Sequence, residues 1–365
     1  MCGTLNLLFS LLISVGPWVT QMRTDGFSVL WTSDEESIAF VELSDGSRHY
    51  DEFAGRRIHS RLHRIHLTGF EPGTEVPYSI GECKVVDKSN PRRPQYGEEV
   101  ISGPYRTRTF DPSKKTCKFS IFNDIHMDTV KYRTLLSSVD TSSLDFIFLN
   151  GDLVSAGHHS VEDIVRYEIA PLGDIPSHIP VMFARGNHEG RGDGVKNVSA
   201  VFPNDGELPF TYIFREGPVA FLVIDVGETG YKNSLALSGK RVYEDYIKAQ
   251  LDWAEKAVKC SEWRSARRHI ILCHVPSYDY DIPDDFVAIT WMARNALPVL
   301  NKLNIDLMIN ADLHEYKYVE VGETGNSFPM IVNDNDSRVD VSVCRKKISV
   351  DIYSVSGDHT HSFVF

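Results

Sequence analysis

The chain has 365 residues, 42% of them hydrophobic, and a formal net charge of −12. That length argues for two domains, and the apolar share is enough to bury real cores, which excludes an extended disordered chain. The acidic balance excludes a protein that grips nucleic acid through a broadly basic surface, but not one acting on phosphates, because bound metal ions can invert the sign of a site.

In chain order, the first residues allow two readings. Leu5 to Val15 is apolar enough for the core of a secretion signal and too short to span a bilayer. No basic stretch precedes it and no small-x-small cleavage pattern follows, so residues 1–14 are either a signal remnant or a first strand. Residues 15–112 carry short strand-like runs at 27–31, 37–43, 61–67 and 105–110, broken by turn signals such as Glu71-Pro72-Gly73-Thr74. Even spacing without helical period predicts a small all-β sandwich, with a polar surface loop over 88–96. Six cysteines, at 2, 83, 117, 260, 273 and 344, show no pairing pattern and read as free thiols.

After Pro112 the rhythm changes. Strand-like runs begin near 117, 145, 179, 219, 268 and 305, with helical patterns at 130–139, 161–169, 242–258 and 288–303. This alternation predicts an α/β domain over 113–365, with an irregular loop at 190–209 and a return to strands from Tyr318. Tyr246 and Trp253 lie on the apolar face of a predicted helix and are assigned to the core.

Five of these apolar runs end in chemistry-bearing fragments: Asn123-Asp124-Ile125-His126, Gly151-Asp152, Gly186-Asn187-His188-Glu189, Cys273-His274 and Asp312-Leu313-His314. A strand followed at once by Asp, Asn or His puts those side chains at a sheet's carboxyl edge, where open α/β sheets bind ligands. Asp124 and His126 can turn toward one ion, Asp152 can bridge two, Asn187 offers a neutral oxygen, and His274 and His314 supply imidazoles. Oxygen and nitrogen donors in that number suit two hard or borderline metal ions, Fe, Mn, Zn or Mg. His188 neighbours a ligand without being needed as one, which makes it the candidate proton donor. Glu189 reads as a residue that orients a ligand, and His158 and His159 as surface or supporting residues.

From Cys117 to about Tyr318 this order of motifs resembles the calcineurin-like metallophosphoesterase superfamily, whose pattern runs DxH, GD, GNH(E/D), a lone His and GHxH. The resemblance implies a two-sheet β-sandwich flanked by helices. It also implies one ion on Asp124, His126, Asp152 and His314, and a second on Asp152, Asn187, His274 and Asp312. A hydroxide bridging the two ions would be the nucleophile and His188 the general acid. Arg191 echoes an arginine that holds phosphate in the GNHExR form of the motif. The front block, GPWVTQMRTDGFSVLWTS and HRIHLTGFEPGT, looks like the fibronectin-III-like domain of purple acid phosphatases, which implies an exported protein, periplasmic or extracellular, with a cytoplasmic one as the alternative.

Two positions depart from the pattern. Ser155 stands where purple acid phosphatases carry the tyrosine that colours the iron, and Asp312 stands where the family has the first His of GHxH. The expectation is therefore a binuclear phosphoric ester hydrolase that takes a small phosphorylated substrate, phosphomonoesters before diesters. A phosphodiesterase or nucleotidase with the same site is one alternative. The other is a weakened enzyme that binds a glycan or protein through its front sandwich.

Overall fold

The computed structural model describes residues 13–155, 160–192, 194–225, 227, 243–278 and 287–365. The leading segment up to residue 12, and His158 and His159, lie outside the described residues.

The front block is built from β1 (Ile13–Thr20), β2 (Gly26–Leu43), β3 (Arg48–Tyr50), β4 (Glu52–Phe53), β5 (Arg56–Arg57), β6 (Ser60–Thr68), β7 (Glu75–Asp87) and β8 (Gln95–Arg108). Where the sequence suggested separate strands at 27–31 and 37–43, the chain runs as one strand of 18 residues. Its first half pairs with β1 and β6, and its second half with β3 and β7. A register shift between Thr32 and Ser37 turns the strand from one layer into the other. Phe27, Val29, Trp31, Ala39 and Val41 thereby enter one core with Ile65, Leu67, Tyr78 and Ile80.

That turn carries a buried polar knot. The Glu82 carboxylate accepts from the Ser33 hydroxyl, from Ser37 Oγ at 3.2 Å and from Trp31 Nε1 at 3.4 Å. His63 lies 2.8 Å from Ser37 Oγ through Nε2 and 3.2 Å from Asp51 through Nδ1. Polar groups freed by an irregular ladder need partners once water is gone, and this knot supplies them.

The second part holds two sheets of six strands. One has the order β11 (Val181–Ala184), β10 (Phe146–Asn150), β9 (Thr116–Phe122), β18 (Ser337–Cys344), β19 (Ile348–Ser354), β20 (His359–Val364). The other runs β12 (Tyr212–Glu216), β13 (Val219–Val223), β14 (Arg268–Leu272), β15 (Leu307–Asn310), β17 (Met330–Val332), β16 (Lys317–Val319). Phe119, Phe146, Phe148, Phe221, Ile270, Ile309 and Val341 fill the space between the sheets. Helices cover the outer faces: Thr129–Ser137 on the first sheet, Tyr243–Ala257 and Ser261–Ser265 on the second. β10, β11, β13 and β15, buried on both sides, read as continuous apolar runs, whereas β18 and β19 alternate.

Two expectations need correction. The stretch 190–209 is not loop throughout: Val195–Val201 is helical, because Val198 and Val201 have an apolar surface to cover. Tyr246 and Trp253 are half-buried rather than core, and the Tyr246 hydroxyl reaches Asp225 at 3.0 Å.

The helix at Val195–Val201 forms part of the joint between the two parts. Trp18 is fully buried against it and donates Nε1–H to the Val201 carbonyl at 3.2 Å. Thr20 Oγ1 donates to the Val181 carbonyl at 2.7 Å, Tyr78 donates its hydroxyl to Ser177 O at 2.8 Å, and Gln21 and Arg64 both bind Asp205. No helix among the described residues is long and apolar enough to cross a membrane. Trp18→Ala removes the largest side chain of the joint, and chemical denaturation should show a loss of about 3–5 kcal/mol. A loss below about 1 kcal/mol would mean the two parts barely lean on each other.

Candidate metal centre

β9, β10 and β11 run parallel to one another in one sheet, as β14 and β15 do in the other, so the loops that follow them emerge on one edge. Asp124 and His126 follow β9, Asp152 follows β10, and Asn187 and His188 follow β11. His274 follows β14, and Asp312 and His314 follow β15 in the other sheet. The two sheets therefore meet at this edge with Asp, Asn and His from both. Asp124, His126, Asp152, Asp312 and His314 all have positive φ, between 48° and 74°. Side chains other than glycine avoid that region, and such strain gathers where function demands a particular direction.

Two glycines allow the loops to touch. Gly151 has φ of 81°, and a Cβ there would lie 2.6 Å from the Gly186 backbone and 2.7 Å from His274 Nδ1. A Cβ on Gly186 would overlap the Asp152 carboxylate. Across this contact lies Glu189, fully buried. Its carboxylate accepts from the backbone N–H groups of Asp152 (2.9 Å), Leu153 (2.9 Å), Val154 (3.4 Å) and Gly186 (2.9 Å). It orients the loops and is no member of the donor clusters described below, as the sequence suggested.

The donors converge as two clusters that share Asp124. In the first, His126 Nε2 and His314 Nε2 are 3.0 Å apart, and Asp124 Oδ1 lies 3.7 Å from the former and 3.3 Å from the latter. In the second, His274 Nε2 faces Asp152 Oδ2 at 3.4 Å, Asp124 Oδ1 at 3.8 Å and Asp312 Oδ1 at 3.8 Å. Asn187 is buried at the same edge, its loop held by the His188 N–H that donates to Asp152 Oδ1 at 2.8 Å. The His188 ring lies 3.7 Å from Asp152 Oδ2 and accepts from Arg191 Nη1 at 2.9 Å.

This donor set fits metal ions. Asp124 Oδ1 is buried, lacks a hydrogen-bond donor and is faced by three imidazole nitrogens. Donors sharing one ion at about 2.0–2.2 Å stand roughly 3–3.5 Å apart, close to the spacing of the first cluster. The groups Asp124–His126–His314, His126–Asp152–His188 and Asp124–Asp152–His274 can each gather their donor atoms around one point.

The electrostatics show the same need for positive charge. Burial alone would raise Asp124, but His274, His126 and His314 outweigh it and hold the carboxyl well below the usual range. Asp152 is likewise lowered, burial being overcome first by His274. Asp312 goes the other way: burial dominates, helped by the Asp152 and Asp124 charges, and pushes it up to about 7. The three carboxylates drive His274 upward against its burial. His188 is lowered, first by burial and then by Arg191 and the other histidines. Glu189 is raised to about 7, by burial and then by Asp152.

Several supporting residues had no role legible in the sequence. The Asn150 carbonyl lies 2.6 Å from His274 Nδ1, which leaves Nε2 for the carboxylates. Asn123 Nδ2 donates to Asp124 Oδ2 at 2.8 Å, and Asn333 Nδ2 donates to Asn123 Oδ1 at 2.9 Å. Asn333 follows β17 as the motif residues follow theirs, and that placement was its only signal.

The model of the calcineurin-like phosphoesterase family matches residues 117–316. A search by sequence finds no matching relative among curated proteins. Among solved structures, the fold is similar to purple acid phosphatase PPD1 from yellow lupin (Lupinus luteus) seeds, with a TM-score of 0.67 at 16% identity over 96% of this chain and 74% of that one. It also matches a dimetal phosphatase from Danio rerio, with a TM-score of 0.49 at 13% identity over 68% of this chain and 98% of that one. The lupin match spans both the front sandwich and the two-sheet part.

Glu189→Ala leaves the N–H groups of both loops without an acceptor. Unfolding should show a loss of about 3–5 kcal/mol, and titration calorimetry should show metal affinity reduced about 10–100-fold. Unchanged metal affinity in a folded variant would show that the loops hold their geometry without it.

Proposed function

The chain belongs to the calcineurin-like phosphoesterase family, a class of phosphoric ester hydrolases, and on that premise we propose that it is a binuclear metal-dependent phosphatase acting on small phosphomonoesters. The observation that carries this reading is the convergence of His126, His274 and His314 on Oδ1 of Asp124, a buried carboxylate oxygen with no hydrogen-bond donor. Asp124, His126, Asp152 and His314 would hold one ion, and Asp152, Asn187, His274 and Asp312 the other. Such a pair supplies an activated water at neutral pH and positive charge for the phosphoryl group and the leaving oxygen.

The protein's own contributions follow from its contacts. Asp124 and Asp152 are set by loops whose backbone is already strained into place, so little reorganisation remains when the centre fills. Arg191, whose Nη1 lies 2.9 Å from His188 Nε2, carries the guanidinium fork that suits an anionic ester and could turn toward one. That move would release His188 Nε2 to hold the proton that the leaving alkoxide needs. Once a bound cation holds it ionised, Asp312 would add a negative charge to the wall an anionic ester must approach, which would make it a brake on ester binding rather than an aid. The front sandwich and the likeness of the whole chain to a purple acid phosphatase fold support an exported protein.

Elemental analysis should find about two ions per chain, and His188→Ala should keep them while kcat on p-nitrophenyl phosphate falls about 10²–10⁴-fold. Asp312→His should lower KM for the same ester. No turnover with Mn, Fe, Zn or Mg, together with one ion or none, would overturn the reading. A panel with faster bis-ester than monoester hydrolysis would move the substrate class to diesters.

A further inference from the structure

A second charged site lies at the opposite edge of the same two sheets. There β9 begins after the linker formed by residues 109–115, β13 begins after Pro218, β14 begins after Arg267, and the β18–β19 turn closes beside the start of β9, Cys344 pairing with Thr116. These ends line an open cavity of about 660 Å³. Six cations line it: Lys114, Lys115, Arg215, Arg267, Arg345 and Lys346. They come from four separate segments of a chain whose net charge is −12, so general basicity does not explain their meeting.

The neighbouring carboxylates leave most of that charge unbalanced. Asp145 and Glu216 are spent on Lys114, and Asp306 on Arg268 beside the cavity. Glu262 faces Arg215, whose guanidinium binds Ser265 and the carbonyls of Pro112 and Gly217. Lys115, Arg267, Arg345 and Lys346 are exposed and enter no ion pair among the described residues. The Cys344 thiol is held below its usual range, first by the backbone N–H groups of Lys346 and Lys347, with Lys347 and Arg268 adding to the effect.

We propose that this cavity is a binding site for a multiply charged, phosphate-bearing anion, separate from the metal centre. Cations converging on a concavity suit a compact anion, whereas an extended nucleic acid needs a stripe, and the acidic remainder of the surface repels one. Arginine forks and lysine ammonium groups are the donors that phosphate oxygens take, and the pocket offers both. The anion has two sources, a soluble oligophosphate or the headgroup of a phosphorylated lipid.

The test compares the full chain with an Arg345→Glu/Lys346→Glu variant and, from a different segment, with Arg267→Glu. Each is titrated calorimetrically with methylenediphosphonate, whose C–P bonds resist hydrolysis, and floated with vesicles containing phosphatidylinositol bisphosphate. The expected result is binding by the wild type, weakened by salt and lost about tenfold or more in both variants, with ester turnover unchanged. Loss on diphosphonate supports a soluble source, and loss on vesicles alone supports a headgroup. Equal binding by all three proteins would overturn the proposal, because the anion would then sit at the metal centre. So would no binding by the wild type, or capture of a single-stranded oligonucleotide without either phosphate probe.

Discussion

Glu189 accepts backbone N–H groups from two loops at once, and the placement of the candidate ligands rests on that contact. The parallel ladder between β10 and β11 aligns the strands as far as Asn150 and Ala184 and says nothing about how the chain leaves them. Beyond those residues the N–H groups have lost their ladder partners while still buried, and each needs an acceptor. A carboxylate is the one side chain with enough lone pairs to serve several together. Gly151 and Gly186 make the arrangement sterically possible, and Glu189 makes it stable. Asp152 then has no freedom to turn away, since its own backbone is one of the bonded groups. Burial raises the Glu189 carboxyl to about 7, and a cation held by Asp152 would favour its ionised form.

The centre is costly to fold. Five candidate ligands occupy the left-handed region, at roughly 1 kcal/mol or more each, and three aspartates share a nearly dry space with His274. The surrounding structure must over-determine such a site. Here it does so from both sides, through the aromatic layer between the sheets and through Asn123, Asn150 and Asn333, whose amide and carbonyl groups hold the ligands in direction. Bound cations would return part of that cost, so folding and metal loading are linked.

The strand starts near 117, 145, 179, 219, 268 and 305 were legible because strands buried on both faces read as unbroken apolar runs, as at Phe146–Asn150 and Leu307–Asn310. The candidate ligands were legible for a related reason: a polar residue placed directly after such a run can lie only at its end. What the sequence hid depends on contacts far apart in the chain. The joining of 27–31 and 37–43 into one strand depends on a bulge set by Glu82 and His63, residues more than twenty positions away. The helix at Val195–Val201 forms in a stretch too polar and glycine-rich to signal it, because Trp18 and Phe183 offer an apolar surface there. Asn123 and Asn150 act through a neighbouring amide and a backbone carbonyl, for which no residue pattern exists.

The two edges of the sheets carry opposite problems. At the carboxyl edge, carboxylates are buried and require cations. At the amino edge, cations are exposed and have few carboxylates to meet. The linker between the two parts runs along this second edge, and Lys114 ties it to both Asp145 and Glu216. Glu216 in turn accepts the Asp111 backbone N–H at 2.6 Å, which fixes where the linker leaves the front sandwich. An anion seated among Lys114, Lys115 and Arg345 would compete for Lys114 with those carboxylates. Its binding would therefore be felt at the linker that sets the front sandwich against the phosphoesterase part, at the far end of the sheets from the metal centre.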